Sequence, residues 1–63
     1  MYNKEITTLI NENFKMDHKV VGLINSYKET LNAKYLDQAI KIQSLISKNH
    51  VRINVLNMMG GEN

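Results

Sequence analysis

The stretch Tyr35–Leu56, YLDQAIKIQSLISKNHVRINVL, decides the fold. Tyr35, Ala39, Ile42, Ile46, Asn49, Ile53 and Leu56 recur there at alternating steps of four and three. That is a heptad seam over three repeats, with Asn49 as its one polar member. A second apolar set, Leu36, Ile40, Val51, Val55 and Met58, lies on another side of the same helix. A helix that is apolar on two sides is buried on two sides. One side can pack on a neighbouring helix of the chain. The other calls for an N-terminal helix or a second copy, so a homo-oligomer is expected, with Ile42, Ile46, Asn49, Ile53 and Leu56 at its interface. The alternation Val51, Ile53, Val55 also reads as an edge strand. The heptad phase runs unbroken through Ile53 and Leu56, which favours helix. Gly60 and Gly61 then serve as the glycines that end it.

Outward from this stretch, Asn32 is the expected hinge and the N-cap of a helix starting at Ala33. So short a connection makes an antiparallel helical hairpin. The preceding helix is expected over His18–Leu31, capped by Asp17, with Val20, Ile24, Tyr27 and Leu31 on one face and Val21 and Leu23 beside it. Gly22 costs about 1 kcal/mol against Ala inside a helix. It reads equally as a tolerated surface position or as the site of a close helix crossing. Before it, Tyr2–Phe14 reads as a short amphipathic helix with Ile6, Leu9, Ile10 and Phe14 at helical spacing, Asn3 as its cap and Glu5 near its positive end. Alone it is too short to hold in water and must dock. The expected fold is all-α and a single small domain over residues 1–63. It consists of a short N-terminal helix, then an antiparallel hairpin with a long second arm, assembled as an oligomeric bundle.

Composition supports this reading. The chain has 63 residues, no Pro, and Gly only at 22, 60 and 61, so little interrupts a helix. It has no Cys, which excludes disulfides and thiolate metal sites. Its two His and six carboxylates show no zinc or calcium spacing, so no metal and no cofactor is expected. A chain this short without such staples relies on helix packing or on oligomerisation. No apolar run approaches the roughly 18 residues of a membrane span. Met1-Tyr2-Asn3-Lys4-Glu5 lacks the apolar region of a signal peptide, so a cytoplasmic setting is expected.

The net charge is +2, but it is unevenly spread. No carboxylate lies between Asp37 and Glu62, while Lys41, Lys48 and Arg52 do. On a helix Lys41, Ser44, Lys48 and Arg52 share one stripe. Such a stripe serves as a solvated face. It also suits phosphates, with Arg52 as a planar fork, Lys41 and Lys48 as point charges and Ser44 as a hydroxyl. Tyr27 and Tyr35 flank the turn and either close the end of the core or stack on a base. Asp17 and His18 are neighbours in sequence and so do not face each other on a helix. No nucleophile stands at readable spacing from a base, and no phosphate loop is present, so an enzyme is not expected. Duplex DNA is argued against by the small charge and by the absence of helix-turn-helix spacing.

Thr30-Leu31 followed by Leu36-Asp37-Gln38-Ala39-Ile40 resembles the hairpin of small phage anti-CBASS cyclic-nucleotide sponges, a hairpin shared with an anti-Thoeris sponge. That family has Ser-Leu and then Leu-Glu-Glu-Ala-Met at these places. Its aromatic positions in the second helix are Lys41 and Ile42 here, so no ligand residue is carried over by position. The resemblance implies a small helical oligomer that sequesters a cyclic oligonucleotide in an immune-evasion role and catalyses nothing. Two further readings are a protein-binding inhibitor or regulator that offers the apolar face of its C-terminal helix, and an RNA-binding helical hairpin dimer.

Overall fold

The computed structural model describes residues 3–61. Two helices, α1 (Asn3–Thr30) and α2 (Ala33–Gly61), form an antiparallel hairpin. Leu31 and Asn32 alone among the described residues lie outside them, and none of those residues is in a strand. The hairpin is a rod with extents of 51 × 14 × 10 Å.

The turn is built from local hydrogen bonds. Leu31 has φ 56°, and its N–H donates to the Tyr27 carbonyl at 2.6 Å. This is the left-handed cap that closes a helix C-terminus. The Thr30 hydroxyl donates to the Ser26 carbonyl at 2.8 Å and accepts from the Asn32 N–H at 3.3 Å. Asn32 then caps α2 as expected. Its Oδ1 accepts the Lys34 N–H at 3.0 Å, and its carbonyl accepts the Tyr35 N–H at 3.1 Å. Leu31, expected as the last residue of an apolar helix face, is instead the turn residue and is 75% exposed.

The two N-terminal helices expected over residues 2–14 and 18–31 are one helix. Asp17 is not a cap but a mid-helix residue, and the chain runs through Phe14–Asp17 without a break. The physical reason is a seam in α1: Ile6, Leu9, Asn13, Met16, Val20, Leu23 and Tyr27 recur at alternating steps of three and four, and all are buried or half-buried. This matches the seam expected in α2, where Ala39, Ile46 and Leu56 are buried and Tyr35, Ile42, Asn49 and Ile53 half-buried. Ile10, Phe14 and Ile24, read from sequence as core, lie outside the seam and are exposed. Tyr2 lies outside the described residues. The strand alternative for Val51–Val55 does not form, because α2 continues through it and on to Gly61. Gly60 and Gly61 therefore prolong the helix rather than end it before them.

Register is marked by a polar layer. Asn49 donates from Nδ2 to Asn13 Oδ1 at 2.9 Å and, more weakly, to Glu12 Oε2 at 3.5 Å. Asn13 is 5% exposed, and its own Nδ2 has no partner. Alternate steps from this layer set Met16, Val20 and Leu23 opposite Ile46, Ile42 and Ala39 on the turn side, where they form one cluster. On the open side the same steps set Leu9 opposite Ile53 and Ile6 opposite Leu56.

Candidate functional site

The residues expected at an oligomer interface are engaged within the chain. Ile42, Ile46, Asn49, Ile53 and Leu56 form the α2 half of the hairpin seam. The reason is geometric: a two-residue turn brings α1 alongside α2 over its full length, and α1 supplies a matching seam. Tyr27 and Tyr35 are half-buried at the turn end of that seam, which is where the core-closing reading puts them.

The basic residues fall outside the seam. Lys41, Ser44 and Lys48 are exposed on the side of α2 turned away from α1. Continuing from them at steps of three and four come Val51, Val55 and Met58, all exposed. The outer face of α2 is thus one stripe, basic toward the turn and apolar toward the C-terminus. Arg52 stands at the edge of this face. Its Nη2 lies 3.3 Å from Glu5 Oε2 across the hairpin, with both side chains about half exposed. An exposed pair of this kind contributes at most about 1 kcal/mol, so it orients the guanidinium toward α1 without committing it there. His50 is exposed on a different side.

A second surface was missed by the sequence reading. Ile10, Phe14, Asp17, Val21 and Ile24 recur at steps of four and three along the flank of α1. Phe14 is 66% exposed and Val21 58%. Phe14, Asp17, His18 and Val21 line a shallow open pocket of about 150 Å³. The Phe14 and His18 rings lie 6.4 Å apart and tilted by 39°. The signal that would have separated this flank from the core is the steps of three and four through Asn13. Asn49 was admitted to a seam as a polar member, and admitting Asn13 likewise reveals the core of α1. Gly22 lies beside the flank, and a Cβ placed on it would meet nothing within 4 Å. No crossing within the chain explains it.

Among the described residues no three His, Cys, Asp or Glu side chains gather where they could hold a metal ion. No helix is long and apolar enough to cross a membrane, again among the described residues. Comparison of the chain with protein families, curated proteins and solved structures finds no match.

Proposed function

We propose that this protein is a non-enzymatic binding protein whose outer α2 face docks an acidic, amphipathic helix of a partner protein. The observation that carries the reading is the stripe of Lys41, Ser44, Lys48, Val51, Val55 and Met58, exposed along five turns of a helix whose opposite side is already packed. A partner helix with carboxylates at one end and apolar residues at the other complements it in charge and in surface. Docking a helix on such a face reuses the spacing by which α1 and α2 recognise each other. The seam supplies rigidity, so little ordering cost falls on this side of the complex.

A second reading is supported by the basic half of the same stripe. Lys41, Ser44 and Lys48 suit an anionic ligand such as a cyclic oligonucleotide, with Arg52 free to leave an exposed ion pair. This is the sequestering role that the hairpin resemblance implies. It depends on a second copy to make a convex stripe into a cradle.

The two readings part on two substitutions. The probes are a synthetic helical peptide, glutamate-rich in its first half and leucine-rich in its second, and a cyclic dinucleotide and trinucleotide. Lys48→Glu weakens either ligand. Met58→Asp weakens the peptide by at least about tenfold, through about 1.5–3 kcal/mol of lost apolar burial, and leaves the nucleotides untouched. Titration calorimetry at low and high salt reads the result. Nucleotide binding without peptide binding overturns the first reading, and binding of neither probe overturns both.

A further inference from the structure

One broad face of the rod, where an edge of α1 lies beside an edge of α2, gathers four lysines that the fold does not use. We infer that this face binds a linear phosphate chain, as in a single strand of nucleic acid. Lys15 and Lys19 of α1 form one wall of the site, Lys41 and Lys48 of α2 the other, and Gly22 leaves the main chain bare between them. The inference rests on the second reading above for the role of Lys41 and Lys48. It needs no second copy, because α1 supplies the missing wall.

Two contacts fix which edges meet on this face. Glu5 reaches Arg52, and Glu12 reaches Asn49. From Glu12 the edge of α1 continues at steps of three and four through Lys15, Lys19 and Gly22. From Arg52 the edge of α2 continues toward the turn through Lys48, Leu45 and Lys41 at the same steps. The Asn13–Asn49 layer sets the level of one edge against the other. It puts Lys48 across from Lys15, and Lys41 across from Lys19 and Gly22. At 1.5 Å of rise per residue, these two rungs are about 8 Å apart along the rod. All four lysines are exposed.

This part of the face has no counter-charge of its own. The one ion pair among the described residues joins Arg52 to Glu5, beyond Lys48 toward the open end. Asp17 is the sole carboxylate of α1 between Glu12 and Glu29, and it lies on the apolar flank. No carboxylate occurs in α2 from Lys41 to Arg52. An anion whose charges are spaced along a chain supplies what is missing. Lysine ammoniums are point charges on flexible stems, which suits a row of phosphates better than one bidentate group. Phe14, Tyr27 and Tyr35 lie off these two edges, so no ring there stacks on a base. Binding therefore follows the backbone of the strand and not its sequence.

Two features at this place cost the hairpin stability and have no role inside it. Lys15 and Lys19 are a like-charged pair at i and i+4, an arrangement that destabilises a helix. Gly22 follows three residues after Lys19, and a Cβ placed on it would meet nothing within 4 Å. Packing within the chain therefore asks for no glycine there. A residue without a side chain lets the main chain of a helix come close to a ligand. A strand held between Lys19 and Lys41 passes over that bare point.

Fluorescence anisotropy with a short labelled oligouridylate tests the site. The wild type should bind at low salt, and log K should fall against log salt with a slope of about −3, as four phosphates on a single strand require. Lys15→Gln and Lys19→Gln should each weaken binding by at least about threefold and make the slope shallower by about 0.7. Lys28→Gln removes the same charge from another side of α1 and should change affinity by less than about twofold. Gly22→Ala should weaken binding by about fivefold or more while raising the melting temperature. Helicity by circular dichroism checks that each variant keeps the hairpin, and all four positions are exposed. Inorganic polyphosphate should compete, and the tighter of the two ligands per charge identifies the source of the phosphate chain. A wild type that does not bind either one overturns the inference. So do equal losses from Lys15→Gln and Lys28→Gln, an oligoglutamate of the same charge that binds as well, or a Gly22→Ala variant that binds as tightly as the wild type. A protein that takes cyclic nucleotides but not the strand leaves the second reading standing and overturns this one. Binding of the strand without the cyclic nucleotides does the reverse.

Discussion

At the scale of single residues, two positions carry strain that the fold tolerates. Asn13 and Asn49 share one hydrogen bond, and Asn13 leaves an amide hydrogen donor unmet in a buried site. An unmet buried polar group costs about 1–3 kcal/mol. Asn49→Leu alone gains apolar burial but strips Asn13 of its one partner, so its net effect should lie within about 1 kcal/mol of zero. Replacing both by Leu removes the unmet group and should stabilise the hairpin by about 2 kcal/mol or more. The two changes should be coupled, and thermal unfolding of the four proteins in a double-mutant cycle measures it. Strict additivity would mean that the two amides do not meet. The other position is Leu31, held at φ 56° in the turn. A left-handed conformation costs a branched L-residue about 1–2 kcal/mol, and this side chain buries little in return. Leu31→Gly relieves that strain and loses some chain entropy, for a net gain of about 0.5–1 kcal/mol. A lower melting temperature in the glycine variant would show that the exposed leucine has a packing role.

At the scale of elements, the helix and the seam of α2 were legible in the sequence, but what the seam packs against was not, and neither was the continuity of α1. Every seam residue of α2, from Tyr35 to Leu56, is at its expected position, because a single polar member interrupts an otherwise apolar repeat. The Asn32 cap was legible for a similar reason, since a cap residue immediately precedes that repeat. In α1 two apolar stripes lie side by side, the seam and the flank, and they share one helix. Ile10, Phe14 and Ile24 belong to the flank, so a reading that joins them to Ile6 and Val20 mixes the two. Asn11, Asn13 and Asp17 then mimic a boundary, because these residue types favour caps over helix interiors. Tertiary packing overrides that preference: Asn13 is drawn into the seam by Asn49, and Asp17 lies on the flank. The continuity of α1 has a measurable consequence. Lys15 falls where a linker between two helices was expected, and a linker accepts proline. In a continuous helix Lys15→Pro removes the hydrogen bond to Asn11 and clashes with its carbonyl, at a cost of about 3 kcal/mol or more. Chemical denaturation should show that loss, and an unchanged midpoint would restore the break. Gly22 is a milder test of the same helix. With open space around it, Gly22→Ala should gain about 1 kcal/mol in the isolated hairpin. A loss at low protein concentration would show that the space is occupied within the chain.

At the scale of the whole molecule, the surfaces of the rod differ in what they touch. The inner side joins α1 to α2, while the outer side of α2 and the flank of α1 are both exposed. The apolar content of the chain is ordinary at 43%, yet large side chains such as Phe14, Leu31, Val51 and Met58 stand mostly in solvent in a single hairpin. A two-helix rod has no interior beyond its one seam, so the surplus of apolar residues is a property of the shape and not of the composition. This is why fold class follows from periodicity alone while the binding surfaces do not: the same spacing marks a seam, a flank and an outer face, and the structure distinguishes them by which one the turn brings together. If a second copy covers one of the exposed apolar faces, stability should depend on concentration. If folding and dimerisation are one transition, each tenfold rise in protein concentration adds about 1.4 kcal/mol to the folded dimer. Over two chains of this length, that corresponds to an increase in melting temperature of about 5 °C per decade. The measurement is a series of thermal melts from 1 to 100 micromolar, followed by circular dichroism. Phe14→Glu on the flank of α1 and Met58→Asp on the outer face of α2 then tell the two faces apart, since the variant that flattens the dependence marks the face that is covered. A wild-type melting temperature that stays constant across the series would mean that the seam of one hairpin, with its Asn13–Asn49 layer, is sufficient to hold the fold by itself.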